Sequence, residues 1–177
     1  MKTTGIIRRI DDLGRIVIPK ELRKSLRIKN GDSLEIFVDN DDVILKKYSP
    51  IESIEEAASR YVDSFNQVIK KNILVTDKDK IIAASGNLKK KYLGKVINEF
   101  TDRGILRRDS FVERQKKLFS FVDGIEELGY YSFSSIINDS DSIGSVIIFS
   151  VDTPLLESEE KLSIILSKLL AGNFISE

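Results

Sequence analysis

The chain contains no cysteine and no histidine. The first absence excludes disulfides, thiolate nucleophiles, and Cys-based zinc and iron–sulfur sites. The second removes the commonest general base and the commonest transition-metal ligand. Only carboxylate and carbonyl oxygens remain to hold a hard cation such as magnesium. No apolar run approaches the length that crosses a bilayer, and MKTTGIIRRIDD lacks the apolar stretch of a signal peptide. Cytoplasmic residence without a membrane partner is the expectation. Neither a catalytic nor a metal-ligating residue is expected. The available carboxylates, Asp77, Asp79, Asp102 and Asp109, form no recognisable catalytic spacing, and the pair around Lys78 reads as turn chemistry.

What is present is an ordinary globular composition, with 41% hydrophobic and 32% charged residues in 177, enough for one or two domains. The formal net charge of zero hides an asymmetry. Residues 1–30 hold nine Lys/Arg against three acids, whereas residues 31–48 hold two lysines against five acids. A cationic segment on a neutral chain points to a localised anionic partner, and nucleic acid is the usual one. The bland reading is a solvated surface whose cations pair with Asp11, Asp12 and Glu21. Three acids cannot neutralise nine bases.

Residues 1–50 read as one domain of short strands around one helix. Ile6, Ile7 and Ile10 precede the turn signal Asp11-Asp12-Leu13-Gly14, and the β-branched run Ile16-Val17-Ile18 follows it. Pro19 suits a helix start, and the helix is expected to reach Leu26 or Arg27. Leu34, Ile36 and Val38 alternate along a strand, Asp39 to Asp42 turn, and Val43-Ile44-Leu45 returns. Two hairpins thus flank a helix. About 50 residues without a disulfide or metal rarely build a core alone, so an obligate dimer of interleaved strands is expected.

Tyr48-Ser49-Pro50 reads as a linker, and residues 51–177 as a second domain. Apolar spacings of three and four predict a helix over 51–71, strands at 73–76 and 81–84, and a helix over 88–100 capped by Asn87. Residues 101–117 are charged and read as partly helical. A strand over 118–122, a hairpin of 130–137 with 143–150, and a final helix over 156–174 complete the pattern. The stripe of that last helix (Leu162, Ile165, Leu166, Leu169, Leu170, Phe174, widened by Ile164) is broader than one sheet face needs, so part of it is expected at a subunit interface.

On the first predicted helix, Lys20, Arg23, Lys24 and Arg27 fall within an arc of about 100°. Arg8 and Arg9 precede the turn and Arg15 follows it. Arginine forks suit phosphates and guanine edges, and lysine supplies a point charge. MKTTGIIRRIDDLGRIVIPKELRKSLRI followed by GDSLEIFVDNDDVILKKY resembles the swapped-hairpin DNA-binding domain of the AbrB transition-state regulator family. The stretch DLGRIVIPKELRKSL is the specific part of that match.

The resemblance implies an intertwined homodimer on double-stranded DNA. It also implies DNA contacts by Arg8, Arg15 and Arg23, with Lys24 where the family has arginine and Arg9 in support. KKYSPI and IGSVIIFS extend the likeness to the family's two-domain members. This implies an α+β chain whose second domain is a GAF-like α/β/α fold with an antiparallel sheet, and a homotetramer made through that domain's helices. It further implies an activator and repressor of late sporulation genes, placed in the forespore. No cofactor is expected. An unidentified small-molecule effector would sit along residues 87–122, where Lys89-Lys90-Lys91, Arg103, Arg107-Arg108 and Arg114 offer cations. A second function class is an antitoxin that binds DNA and neutralises a partner protein.

Overall fold

The computed structural model describes residues 5–47 and 55–172. The expected linker at residues 48–50, the start of the helix that follows it, and Phe174 lie outside the described residues. The chain divides into two units, Met1–Tyr48 and Ser49–Glu177.

In the first unit the turn at residues 11–15 is closed by Asp11 and Arg15. The Asp11 amide donates to the Arg15 carbonyl at 3.0 Å and the Gly14 amide to the Asp11 carbonyl at 2.9 Å. Gly14 takes φ 75°, a conformation that disfavours a side chain, which is why glycine ends this turn. The flanking segments, 6–10 and 15–18, form no β-ladder within this single chain, so the first expected hairpin is a turn with extended arms. A ladder needs a neighbouring strand, and one copy of the chain supplies none here.

Helix α1 spans Lys20–Ser25 with Pro19 as its N-cap. It is shorter than expected. Arg27 adopts φ 54°, so it leaves the helix and the predicted four-cation arc keeps only Lys20, Arg23 and Lys24. Strands β1 (Leu34–Asp39) and β2 (Asp42–Lys47) form the second expected hairpin, with Val38 opposite Val43 and Phe37 opposite Ile44. Lys47 ties β2 to the helix exit, reaching Asp32 at 3.2 Å and the Arg27 carbonyl at 3.3 Å.

This unit has almost no interior. Pro19 is its one buried residue among those described, while Ile7, Leu13, Val17, Val38 and Val43 are all at least 70% exposed. The β1–β2 ribbon is apolar and exposed on both faces, and an isolated ribbon of this kind is at best marginal in water.

The second unit is a three-layer sandwich. Helix α2 (Glu55–Ile69) leads into strands β3 (Asn72–Thr76) and β4 (Ile81–Ala84). Short helices α3 (Leu88–Tyr92) and α4 (Glu99–Arg107) follow. Then come β5 (Ser110–Val122), β6 (Ile125–Asn138), β7 (Asp141–Ser150) and helix α5 (Glu157–Gly172). The sheet runs β4-β3-β7-β6-β5 and every pairing in it is antiparallel.

Alternation along the strands splits the core in two. Ile73, Val75, Val146 and Ile148 face Ala58 and Val62 of α2 and Leu166 and Leu170 of α5. Leu74, Ile147 and Phe149 face Tyr92 of α3, Ile105 of α4 and the aromatics Phe119, Phe121, Tyr131 and Phe133.

Three sequence expectations change here. The single helix over 88–100 is broken: Leu93 is extended, Gly94 takes φ 74°, and residues 94–95 exchange backbone hydrogen bonds with Ile81 at 2.8 Å. Asn87 gives no side-chain cap to α3. The capping residue is Asn98, whose side chain accepts from the Thr101 amide at the start of α4. The charged stretch after α4 is strand, because β5 begins at Ser110 and its polar residues lie on the sheet's outer edge, interrupted by a bulge between Glu113 and Lys117. A bulge and lysines on an open edge oppose pairing with another chain. The stripe of α5 also divides. Leu166 and Leu170 are buried and Leu162 partly so, whereas Ile164, Ile165 and Leu169 stay exposed.

Candidate nucleic-acid interface

The first unit places its cations on three neighbouring pieces of backbone. Arg8 and Arg9 lie on the extended arm before the turn, Arg15 at the turn's end, and Arg23 and Lys24 in the last turn of α1. Arg8, Arg9, Arg15 and Lys24 are exposed, and Arg23 is half-buried. Among the described residues, none of Arg8, Arg9, Arg23 and Lys24 makes an ion pair. Arg8 only donates to the neighbouring Ile7 carbonyl at 3.0 Å. The local acids therefore leave most of the charge available for an external anion.

Two of the arginines are held. Asp11 accepts from the amides of Leu13 at 3.0 Å and Arg15 at 2.8 Å through Oδ1, and from the Arg15 Nε at 2.8 Å through Oδ2. The Arg15 amide, and next its guanidinium, hold the Asp11 carboxyl below the ordinary aspartate range. Arg23 donates from Nη1 to Asn30 Oδ1 at 2.9 Å, while its Nε is buried without an acceptor among the described residues. In the sequence Asn30 reads only as a turn residue, and Asp11 as a turn residue and one of three local acids with no particular arginine as partner. That each faces an arginine three-dimensionally follows from the turn and from the chain reversal after α1, which spacing does not encode.

In the second unit only Arg103 and Arg107, of the cations proposed for an effector, share a cleft. Lys89 pairs with Asp63 at 2.7 Å, Lys91 pairs with Glu127, and Arg114 makes a two-pronged pair with Glu160 at 2.7 and 2.8 Å. Helix α4 and the start of β5 open the cleft, of about 330 Å³, which is lined by Glu99, Phe100, Arg103, Gly104, Arg107, Asp109, Phe111 and Phe133. Phe111 stacks on Phe133 with centroids 5.4 Å apart, and Phe100 meets Phe111 edge-on at 6.2 Å. Arg103 is paired to Glu99 at 2.6 Å, whereas Arg107 and Asp109 make no ion pair among the described residues. The aromatic members of this cleft come from three elements and carried no signal in the linear sequence.

Residues 53–174 match the family model described as "Stage V sporulation protein T C-terminal, transcription factor". The chain is also 48% identical over 163 residues to stage V sporulation protein T of Bacillus subtilis (strain 168), covering 91% of this chain and 92% of that protein. The chain belongs to the stage V sporulation protein T family. Its N-terminal part adds a second relation: residues 7–53 match the model "Antidote-toxin recognition MazE, bacterial antitoxin". Fifty residues are 60% identical to the transition state regulatory protein AbrB of B. subtilis (strain 168), covering 28% of this chain and 52% of that protein. The GAF domain of an Acinetobacter phosphoenolpyruvate-protein phosphotransferase is similar in fold. It has a TM-score of 0.52, 10% identity, and coverage of 89% of this chain and 95% of that one. This family member thus combines an AbrB-like N-terminal part with a GAF-like domain, in an α+β chain.

Proposed function

We infer that the chain is a DNA-binding transcription regulator whose N-terminal unit grips double-stranded DNA as a swapped-hairpin homodimer. The observation that carries this reading is the coincidence of Arg8, Arg9, Arg23 and Lys24, which have no acid partner among the described residues, with apolar side chains of residues 5–47 that have no core. The cations call for a polyanion. The apolar residues call for a second copy, which would also double the cationic set. The finer reading assigns Arg8, Arg15 and Arg23 to direct DNA contacts and Arg9 and Lys24 to supporting phosphate contacts. Kinship with stage V sporulation protein T supports a role in activating and repressing sporulation genes, in the forespore cytoplasm. No helix among the described residues is long and apolar enough to cross a membrane. The antitoxin reading is not favoured, because a folded GAF-like domain stands where an inhibitory tail would be required.

The GAF-like domain is read as a regulatory and oligomerising module, with domains at 1–50 and 51–177. The exposed row Ile164, Ile165 and Leu169 of α5 supports a homotetramer through its helices, which would tether two heads and raise avidity on DNA. The α4–β5 cleft is the candidate effector site, with Phe100 and Phe111 for an apolar group and Arg107 for an anion. No chemical step is assigned to any residue.

The test is a salt titration of binding to a duplex selected from a random pool, with the intact chain, Arg15→Ala and Arg23→Ala. Specific binding that weakens steeply with salt and collapses in both variants is expected, because phosphate contacts release counterions. Absence of duplex binding by the intact chain at low salt overturns the reading.

A further inference from the structure

Arg15 differs from Arg8, Arg9 and Lys24 in being held by a carboxylate that is itself fixed. Asp11 Oδ1 is committed to two backbone amides of the turn, so the carboxylate cannot rotate away, and its Oδ2 receives the Arg15 Nε at 2.8 Å. The pair spans four residues across the turn and stays in solvent, with side-chain exposures of 71% for Arg15 and 43% for Asp11. An exposed pair of this kind adds little to folding stability. Its geometric effect is larger. Nε is occupied, and the two terminal nitrogens of the guanidinium, Nη1 and Nη2, are left as an open fork. A free arginine gives up rotamer entropy when it is immobilised, and a fork fixed beforehand has already lost part of it. The fixed carboxylate also repels phosphates. A cation that merely tracks the DNA backbone would be better off without it.

We propose that Asp11 is a positioning residue for sequence selectivity: it aims the Arg15 fork at a base edge and penalises contact with phosphates alone. The inference rests on the DNA-binding reading above. It makes selectivity a product of two opposed effects, tighter binding to the right site and weaker binding to every other one. The occupied Nε leaves the fork suited to a two-pronged acceptor such as the O6/N7 edge of guanine in the major groove.

The test uses the full chain and the variant Asp11→Asn, which keeps an oxygen for the two turn amides but sets an NH2 group against the Arg15 Nε. Affinities are measured for a duplex selected by the wild-type chain and for a scrambled duplex, at several salt concentrations. The expected result is a fall of about tenfold in the ratio of specific to non-specific affinity, with non-specific binding unchanged or about twofold tighter. The same substitution is made in Arg15→Lys, which keeps the charge without the fork. There it should cost no further selectivity, because neighbours acting through one contact are not additive. A purely structural role would lower both affinities together and lower them equally in the two backgrounds. Should Asp11→Asn not fold, the wild-type Arg15 Nε–H resonance decides instead. It should exchange with water more slowly than that of Arg9, and equal exchange rates overturn the proposal. A ratio within about twofold of wild type, or an equal fall in the Arg15→Lys background, also overturns it. Failure of the wild-type chain to bind any duplex overturns the DNA-binding reading and this inference with it. Selective wild-type binding with an unchanged Asp11→Asn ratio overturns the inference alone.

Discussion

Val38 is 76% exposed in the single chain and sits directly opposite Val43, which is 70% exposed. If the N-terminal unit folds only as a dimer, this cross-strand pair is covered by the second copy. Val38→Ala then removes two buried methyl groups from each copy, about 1.5 kcal/mol per site. A symmetric dimer carries the change twice, so about 3 kcal/mol is lost per dimer, or on the order of 100-fold in its dissociation constant. Loss of β-branching in a strand adds in the same direction.

Amide hydrogen exchange over residues 34–47, measured across a dilution series of the full chain, reads this directly. Protection in the wild type should depend on protein concentration, as it does whenever folding is linked to association. In Val38→Ala the same protection should require about 100-fold more protein. Amides of β3 and β7 should be unaffected at every concentration, since they belong to the separate C-terminal core. Protection of the hairpin that is independent of concentration and unchanged by the substitution would refute the argument. It would mean that a ribbon exposed on both faces holds itself together in water.

Other outcomes follow from individual contacts. A Cβ on Gly104 would lie 2.8 Å from Phe133 Cζ and 3.0 Å from Cε1. Gly104→Ala should therefore force α4 outward, destabilise the C-terminal unit by about 1–3 kcal/mol in thermal unfolding, and reshape the cleft. Glu160 is held below the ordinary glutamate range, first by its hydrogen bonds from Arg114. Its stabilisation should be complete at neutral pH and lost as pH falls through the folded-state value, and Glu160→Gln should flatten that part of the acid limb of a stability-against-pH curve. Asn30→Ala removes the acceptor of the Arg23 Nη1 and should weaken specific DNA binding by about 1 kcal/mol, leaving the salt slope of a binding titration unchanged.

The C-terminal sheet was legible because its strands alternate or run continuously apolar between clear turn signals, as in Ile73-Leu74-Val75 and Ile143 to Ser150. The break at Leu93-Gly94 was not, since Leu88 to Phe100 keeps a helical apolar spacing and only the hydrogen bonds to Ile81 pull residues 94–95 out of it. The strand identity of residues 110–117 was hidden for a related reason. An edge strand with a bulge needs no apolar alternation, so its charges look like those of a helix or loop.

By itself the sequence determined the chemistry that is absent, through its lack of cysteine and histidine. It also determined the placement of cations in the first 30 residues and the family to which DLGRIVIPKELRKSL belongs. These are local properties, carried by residue type and short spacing. Only the tertiary structure decided that Arg27 leaves the helix, that Asp11 and Asn30 each engage an arginine, and that Phe100, Phe111 and Phe133 share a cleft with Arg107 and Asp109. Those relations depend on where the chain reverses, and a reversal brings together residues whose separation along the sequence records nothing of their distance in space.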